Sequence, residues 1–276
     1  MKNVFLIGNG ESRKGLDLTK LKSKGRVYGC NAIYREFTPD VLISVDHGIM
    51  HEIYHSGYAT NNECWFRDWT TVPEYMYESL VWSGVSAEDR KEITESDLKY
   101  INEKGDSTEF VMHGANLSGL ATILRKDKTK FKKMVDQTVT KISWIKKDKV
   151  KNLNEIMPNN RDIGWASGAL TGYVACSLEK PDVAYLIGQD LVSNTVNVNN
   201  IYKGSLQYRL PESKQPPPQN WITQWSILFK DNPNTIFYKV NTGLDGDKTN
   251  EPVNEWREFK NVKYITLKEL DNRLNI

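Results

Sequence analysis

The sequence predicts an α/β fold: a parallel sheet flanked by helices, with an irregular insert and a C-terminal lid region. Three observations predict it. Short apolar runs that stop at turn residues recur within the first 55 residues, each followed by helical spacing. A further strongly apolar run at 183–187 follows a helical stretch. The 276 residues are 39% hydrophobic and 26% charged, with eight Trp and thirteen Tyr, which is the usage of a folded chain able to bury a substantial core.

Residues 4–7 form a four-residue apolar run stopped by Gly8, the pattern of a buried parallel strand feeding a βα loop. Residues 26–30 form the next strand, stopped by Asn31 ahead of a short helix at 32–37. A third strand, 41–45, ends at Asp46-His47-Gly48, and Ile49, Ile53 and Tyr54 give helical spacing behind it. Strand and helix alternate, which indicates βαβ units. Residues 59–158 are irregular and are read as an insert and acceptor-binding subdomain within a single domain, 1–276. Inside the insert, 109–112 read as a strand running into a glycine-flanked loop at His113, then a helix at 120–126. Residues 131–145 fit a strand or a helix. A buried helix over 164–178 precedes the 183–187 strand, which ends at Gly188-Gln189-Asp190. Residues 191–220, with three consecutive prolines at 216–218, read as a lid loop. A helix at 221–229, strands at 235–240 and 262–265, and a terminal helix complete the chain.

No run approaches the ~18 apolar residues of a membrane span, and Met1 leads directly into the first strand, so neither a signal peptide nor an anchor is expected. Three cysteines without metal spacing suit free thiols in a reducing cytosol. The expected location is cytoplasmic, in the host cytoplasm if the chain is viral. Net charge is only +2, yet basic residues cluster over 125–133 and 146–151. Such runs are either solvated faces or a surface for a polyanionic partner.

Parallel sheets bind ligands where loops leave the carboxyl ends of strands. The 8–12 loop sits at such an end: Gly8 and Gly10 permit close backbone approach, Asn9 offers a donor and an acceptor, and Ser12 caps the next turn or donates to a phosphate. It is neither Gly-x-Gly-x-x-Gly nor a P-loop, and taken alone it reads equally as a ligand loop or a plain βα turn. Asn31, Asp46 and Asp190 sit at other strand ends. Asp190 reads as a ligand to a ribose hydroxyl or Mg²⁺, or as a turn cap. Asp46 and His47 are candidate bases, or a helix cap and a surface or capping histidine; His113 is the rival base or a structural histidine. His51 and His55, spaced i, i+4, read as a solvated helix face rather than metal ligands with His47, so no metal site is assigned. In the lid, Tyr202, Lys203, Tyr208 and Arg209 either close on a diphosphate or an acceptor or belong to an ordinary polar loop. Trp65, Phe66 and Trp69 line an acceptor site or form a satellite core.

Leu6-Ile7-Gly8-Asn9-Gly10-Glu11-Ser12, followed by Gly29-Cys30-Asn31, resembles the opening of the bacterial lipooligosaccharide sialyltransferases and of related proteins such as the MptE-like pterin diphosphokinases. Ala166-Ser167-Gly168 ahead of an apolar helix, then Tyr185-Leu186-Ile187-Gly188-Gln189-Asp190, resembles the second shared block. The resemblance covers about a third of the chain. It implies a Rossmann-like fold and places Asn9, Ser12, Asn31, Ser167 and Gly168 against the nucleotide of a CMP-sugar. The chain departs from the family after Asp190, where Leu191-Val192 stand instead of tyrosines, and all four histidines precede residue 114. The same donor chemistry is therefore not implied. What the resemblance implies is a nucleotide-sugar-dependent glycosyltransferase acting on a hydroxyl acceptor, either a hydroxymethylated pyrimidine of modified DNA or a glycan; the sequence allows Mg²⁺ but does not require it. Two alternatives stay open: an MptE-like Mg²⁺-dependent phosphotransferase and a non-catalytic nucleotide-binding module.

Overall fold

The computed structural model describes residues 1–94, 97–114, 116–135, 140–157 and 164–276. Ala115 of the predicted His113 loop, residues 136–139 and the end of the predicted insert at Pro158 lie outside them. In chain order the strands are β1 Asn3–Ile7, β2 Arg26–Cys30, β3 Val41–Ser44, β4 Cys64–Phe66, β5 Val72–Pro73, β6 Glu109–His113, β7 Lys141–Trp144, β8 Val150–Asn152, β9 Val183–Ile187, β10 Ile236–Asn241 and β11 Val262–Thr266. The helices are α1 His47–His55, α2 Tyr58–Asn61, α3 Tyr77–Val81, α4 Asp89–Glu92, α5 Leu117–Lys126, α6 Lys128–Val135, α7 Ser167–Glu179, α8 Gln219–Asp231 and α9 Leu267–Leu274. They fall into two compact units, one of residues 1–45, 62–65 and 153–276, the other of 46–61 and 66–152.

The fold is α/β. In the first unit a sheet runs in the order β11, β10, β9, β1, β2, β3, β4, with parallel pairing from β11 through to β3. Val4, Phe5, Leu6 and Ile7 are all fully buried, because an interior parallel strand is covered on both faces. The chain passes from β1 outward through β2 and β3, then returns to the other side of β1 as β9. The strand order thus reverses between β1 and β9, the position at which doubly wound sheets open a ligand crevice. Ile7 lies opposite Ile187, so the 8–12 and 188–190 loops leave the sheet side by side.

Helix α7 packs on this sheet through Ala169, Leu170, Val174 and Ala175, all buried. Its small residues allow close approach. A Cβ on Gly172 would stand 2.7 Å from the Trp225 ring of α8. Trp225, Leu228 and Phe229 of α8 join Phe237 and Trp256 in one apolar cluster, each large side chain contributing roughly 1.5–3 kcal/mol on burial. Helix α9 opens with a capping box between Thr266 and Glu269. Cys30, Cys64 and Cys176 are free and buried.

The second unit has its own antiparallel sheet, β5-β6-β7, and its own core of Trp82, Phe110, Leu120, Ile142 and Trp144 among others. Residues 131–145, read as one element, divide: α6 ends at Val135 and β7 begins at Lys141. Helix α5 starts at Leu117, earlier than predicted, because the Asn116 side chain accepts from the N–H groups of Ser118 and Gly119. Among the described residues no helix is long and apolar enough to cross a membrane.

Candidate functional site

At the strand reversal the 8–12 loop is fastened to the loop after β9. Gly8 N–H donates to Ile187 O and Gly10 N–H to Gly188 O, both at 2.8 Å. A Cβ on Gly8 would stand 2.3 Å from Gly188 O, and one on Gly10 2.3 Å from Asp190 Cγ. The close approach these glycines allow is therefore to the neighbouring loop. Ser12 donates its N–H to Asp190 Oδ2 at 2.9 Å and its hydroxyl to Asp190 Oδ1 at 2.5 Å. Ser12 and Asp190 are thus hydrogen-bonded to each other across the two loops.

Arg13, not visible in the sequence as a site residue, is 4% exposed. Its Nε donates to Gly8 O at 2.7 Å, and its Nη2 donates to Glu36 Oε1 at 2.8 Å and to the Tyr202 hydroxyl at 3.0 Å. Tyr202 in turn donates to Glu36. Burial raises the Tyr202 phenol, which stays protonated as a donor. A second buried cation, Lys239 on β10, donates to Asn241 Oδ1 at 2.6 Å and Thr249 O at 2.7 Å. Burial pulls its ammonium down to about 8, with Asp190 and Asp247 acting the other way.

Asn9, Asn31, Ser167 and Gly168 stand at the carboxyl ends of β1 and β2 and at the start of α7. Asn31 adopts φ 53°, a left-handed conformation that Asn tolerates better than most residues; its Oδ1 accepts from Ser44 Oγ at 3.0 Å. Ser167 Oγ accepts the Val45 N–H at 3.2 Å. A Cβ on Gly168 would stand 2.7 Å from Gln189 Oε1. Asn9 is 8% exposed. Its Nδ2 donates to the Tyr208 hydroxyl at 3.2 Å and Cys30 O at 3.4 Å, while its buried Oδ1 has no partner. A buried acceptor left unpaired is costly and calls for an explanation.

The lid residues 199–208 lie on this loop. Ile201 N–H donates to Asn9 O at 2.8 Å, Glu11 N–H to Asn199 Oδ1 at 2.7 Å, and Lys203 pairs with Glu11 at 3.3 Å. The Tyr208 hydroxyl also accepts the Ala32 N–H at 3.2 Å.

In the second unit, Asp46 holds the N-cap position of α1, yet its side chain makes no capping hydrogen bond. It keeps an exposed surface, but the protein crowded around it raises its carboxyl, with Arg67 and His47 opposing. His51 is fully buried, not on a solvated face. Its Nδ1 meets Ser143 Oγ and its Nε2 meets His113 Nδ1, both at 2.7 Å, so both ring nitrogens are satisfied and burial leaves no polar group orphaned. His113 Nε2 contacts Asp68 O at 3.1 Å. A carbonyl only accepts, which fixes the tautomers: Ser143 donates to His51, His51 to His113, and His113 to Asp68. Burial pulls His113 down to about 4 and His51 well below its usual range. His47 stacks on His113 with centroids 4.1 Å apart, is exposed, and is lowered by desolvation. His55 faces solvent. Phe66 and Trp69 are buried here, and Trp65 is buried in the core cluster of the first unit. Among the described residues no group of three or more His, Cys, Asp or Glu is placed to hold a metal ion.

No family model matches the chain, and no curated protein matches it. Among solved structures, the sialyltransferase CST-II in complex with trisaccharide acceptor and CMP is similar at 14% identity, with 99% of each chain covered and a TM-score of 0.39.

Proposed function

We propose that the chain is a nucleotide-sugar-dependent glycosyltransferase whose first unit holds the nucleotide at the carboxyl ends of β1 and β2. The observation that carries this reading is the unpartnered Oδ1 of Asn9, an acceptor 8% exposed as a residue and set where the strand order reverses. A nucleoside brings hydroxyl or amine donors that complete such an acceptor. Asn31 stands beside it at the end of β2, and Ser167 and Gly168 contribute at the start of α7.

Transfer requires removal of a proton from the acceptor hydroxyl as its oxygen bonds to the sugar's anomeric carbon and the donor phosphate departs. Asp46, two residues beyond β3 and within the second unit, is the chain's candidate base: its carboxylate is uncommitted to a cap, and its raised pKa makes it a better proton acceptor. His47 is the nearest substitute in the chain, whereas both ring nitrogens of His113 are already engaged. Exposed cations at Arg125, Lys126, Lys130, Lys146 and Lys147 favour a polyanionic acceptor such as modified DNA; a glycan acceptor would leave acceptor affinity insensitive to salt.

Calorimetric titration with CMP, UDP, GDP, ATP and their sugar conjugates, with and without Mg²⁺, tests the reading. A nucleotide sugar should bind without Mg²⁺, and Asp46→Asn should abolish transfer while leaving that affinity within about twofold. Absence of binding by every nucleotide would sink the proposal, and binding of ATP alone, dependent on Mg²⁺, would turn it to phosphoryl transfer.

A further inference from the structure

We infer that Tyr208 is an internal stand-in for the nucleotide, held by the donors the ligand uses, and that binding requires its withdrawal. The inference rests on the nucleotide reading above and specifies how that site is reached. Two donors from different strand ends, the Ala32 backbone N–H and Asn9 Nδ2, converge on one oxygen, the Tyr208 hydroxyl, each at 3.2 Å. That hydroxyl comes from residue 208, far along the chain in the lid.

The phenol is an incomplete occupant. It satisfies both donors and leaves the neighbouring Oδ1 of the same carboxamide without a partner. A group that presents an acceptor beside a donor, as the nucleoside part of a nucleotide does, would engage both ends of the Asn9 side chain. The ligand therefore offers one more hydrogen bond than Tyr208 and can displace it.

The lid is built so that its tip can leave while its base stays. The base is anchored by Tyr202 to Arg13 and Glu36 and by Ile201 N–H to Asn9 O. The tip closes on itself: Gly204 N–H donates to Arg209 O at 2.8 Å and Tyr208 N–H to Ser205 O at 3.0 Å. Its apolar side chains are not packed, with Leu206 60% and Leu210 58% exposed. Gln207, next to Tyr208, is held at φ 68°, a strained conformation for a residue with a Cβ. The tip is also held by Arg35, which donates to Ser205 Oγ at 2.8 Å and Leu206 O at 3.1 Å and lies 5.9 Å from the Tyr208 ring centroid, and by the Tyr202 ring, whose centroid is 5.5 Å from that of Tyr208.

A site occupied by part of its own chain binds with an apparent affinity reduced by the fraction of molecules in which it is open. Removing the occupant should recover that loss. Calorimetric titration of CMP, UDP, GDP and ATP into the full chain and into Tyr208→Ala should show about tenfold tighter binding of the same nucleotide by the variant. In the wild-type chain, nitration of Tyr208 by tetranitromethane, mapped by mass spectrometry, should rise several-fold on addition of that nucleotide, because the hydroxyl end leaves its buried place. This second measurement needs no variant. Nucleotide binding that is unchanged or weaker in Tyr208→Ala, or nitration of Tyr208 that falls when nucleotide is added, overturns the inference and leaves the nucleotide reading standing. If neither protein binds any of the four nucleotides, both fall.

Discussion

Asp190 accepts from both the N–H and the hydroxyl of Ser12, so its first role is to hold the 8–12 loop in shape. Asp190→Ala would leave two donors unpaired and is expected to cost about 2 kcal/mol of stability, with Asp190→Asn costing less because an acceptor remains. Urea unfolding of both variants measures this. Equal stability in Asp190→Ala and the wild type would show that this pairing does not hold the loop. Gly8, Asn9, Ser12 and Asp190 were legible in the sequence as strand-end residues. Their mutual partnership was not, because positions 12 and 190 meet only when β9 inserts beside β1. Arg13 was illegible for a related reason: a lone arginine after a glycine loop reads as solvated, and its partners Glu36 and Tyr202 lie on separate segments.

At the scale of elements, α1 is joined to β6 and β7 by the Ser143–His51–His113 chain. Folded, both rings are neutral, since burial lowers His51 and brings His113 down to about 4. In the unfolded chain histidine titrates near ~6.5. Between those values the unfolded state binds more protons than the native state. Stability is therefore complete above roughly pH 6.5 and is lost as pH falls towards 4, by something on the order of 3 kcal/mol for His113. Urea midpoints at pH 7 and pH 4.5 read this loss, and His113→Asn should flatten it; an equally steep loss in that variant would place the acid sensitivity elsewhere. The i, i+4 spacing of His51 and His55 suggested one solvated face, which holds for His55 and not for His51. What buries His51 is a sheet whose strands β6 and β7 are separated by α5 and α6, a pairing that no local periodicity records.

For the whole molecule, the α/β class was legible because β1 and β9, adjacent at the centre of the sheet, carry unbroken apolar runs each ended by a glycine turn. The strand order was not, and it is the order that makes a site, since the reversal between β1 and β9 brings residues 8–12 and 188–190 together. A ligand bound at that reversal stabilises the folded chain by mass action, about 2.7 kcal/mol at a hundredfold excess over Kd. For a chain of this size that corresponds to a rise in Tm of several degrees. The shift depends only on binding to the folded state, so it separates binding residues from catalytic ones. With a nucleotide sugar at fixed concentration, Asn9→Ala and Asn31→Ala should each lose about half of the rise, as expected for roughly tenfold weaker binding, ~1.4 kcal/mol. Asp46→Asn should keep it while losing turnover. A full rise in both asparagine variants would move the nucleotide away from β1 and β2, and a lost rise in Asp46→Asn would make Asp46 part of the binding surface rather than the base.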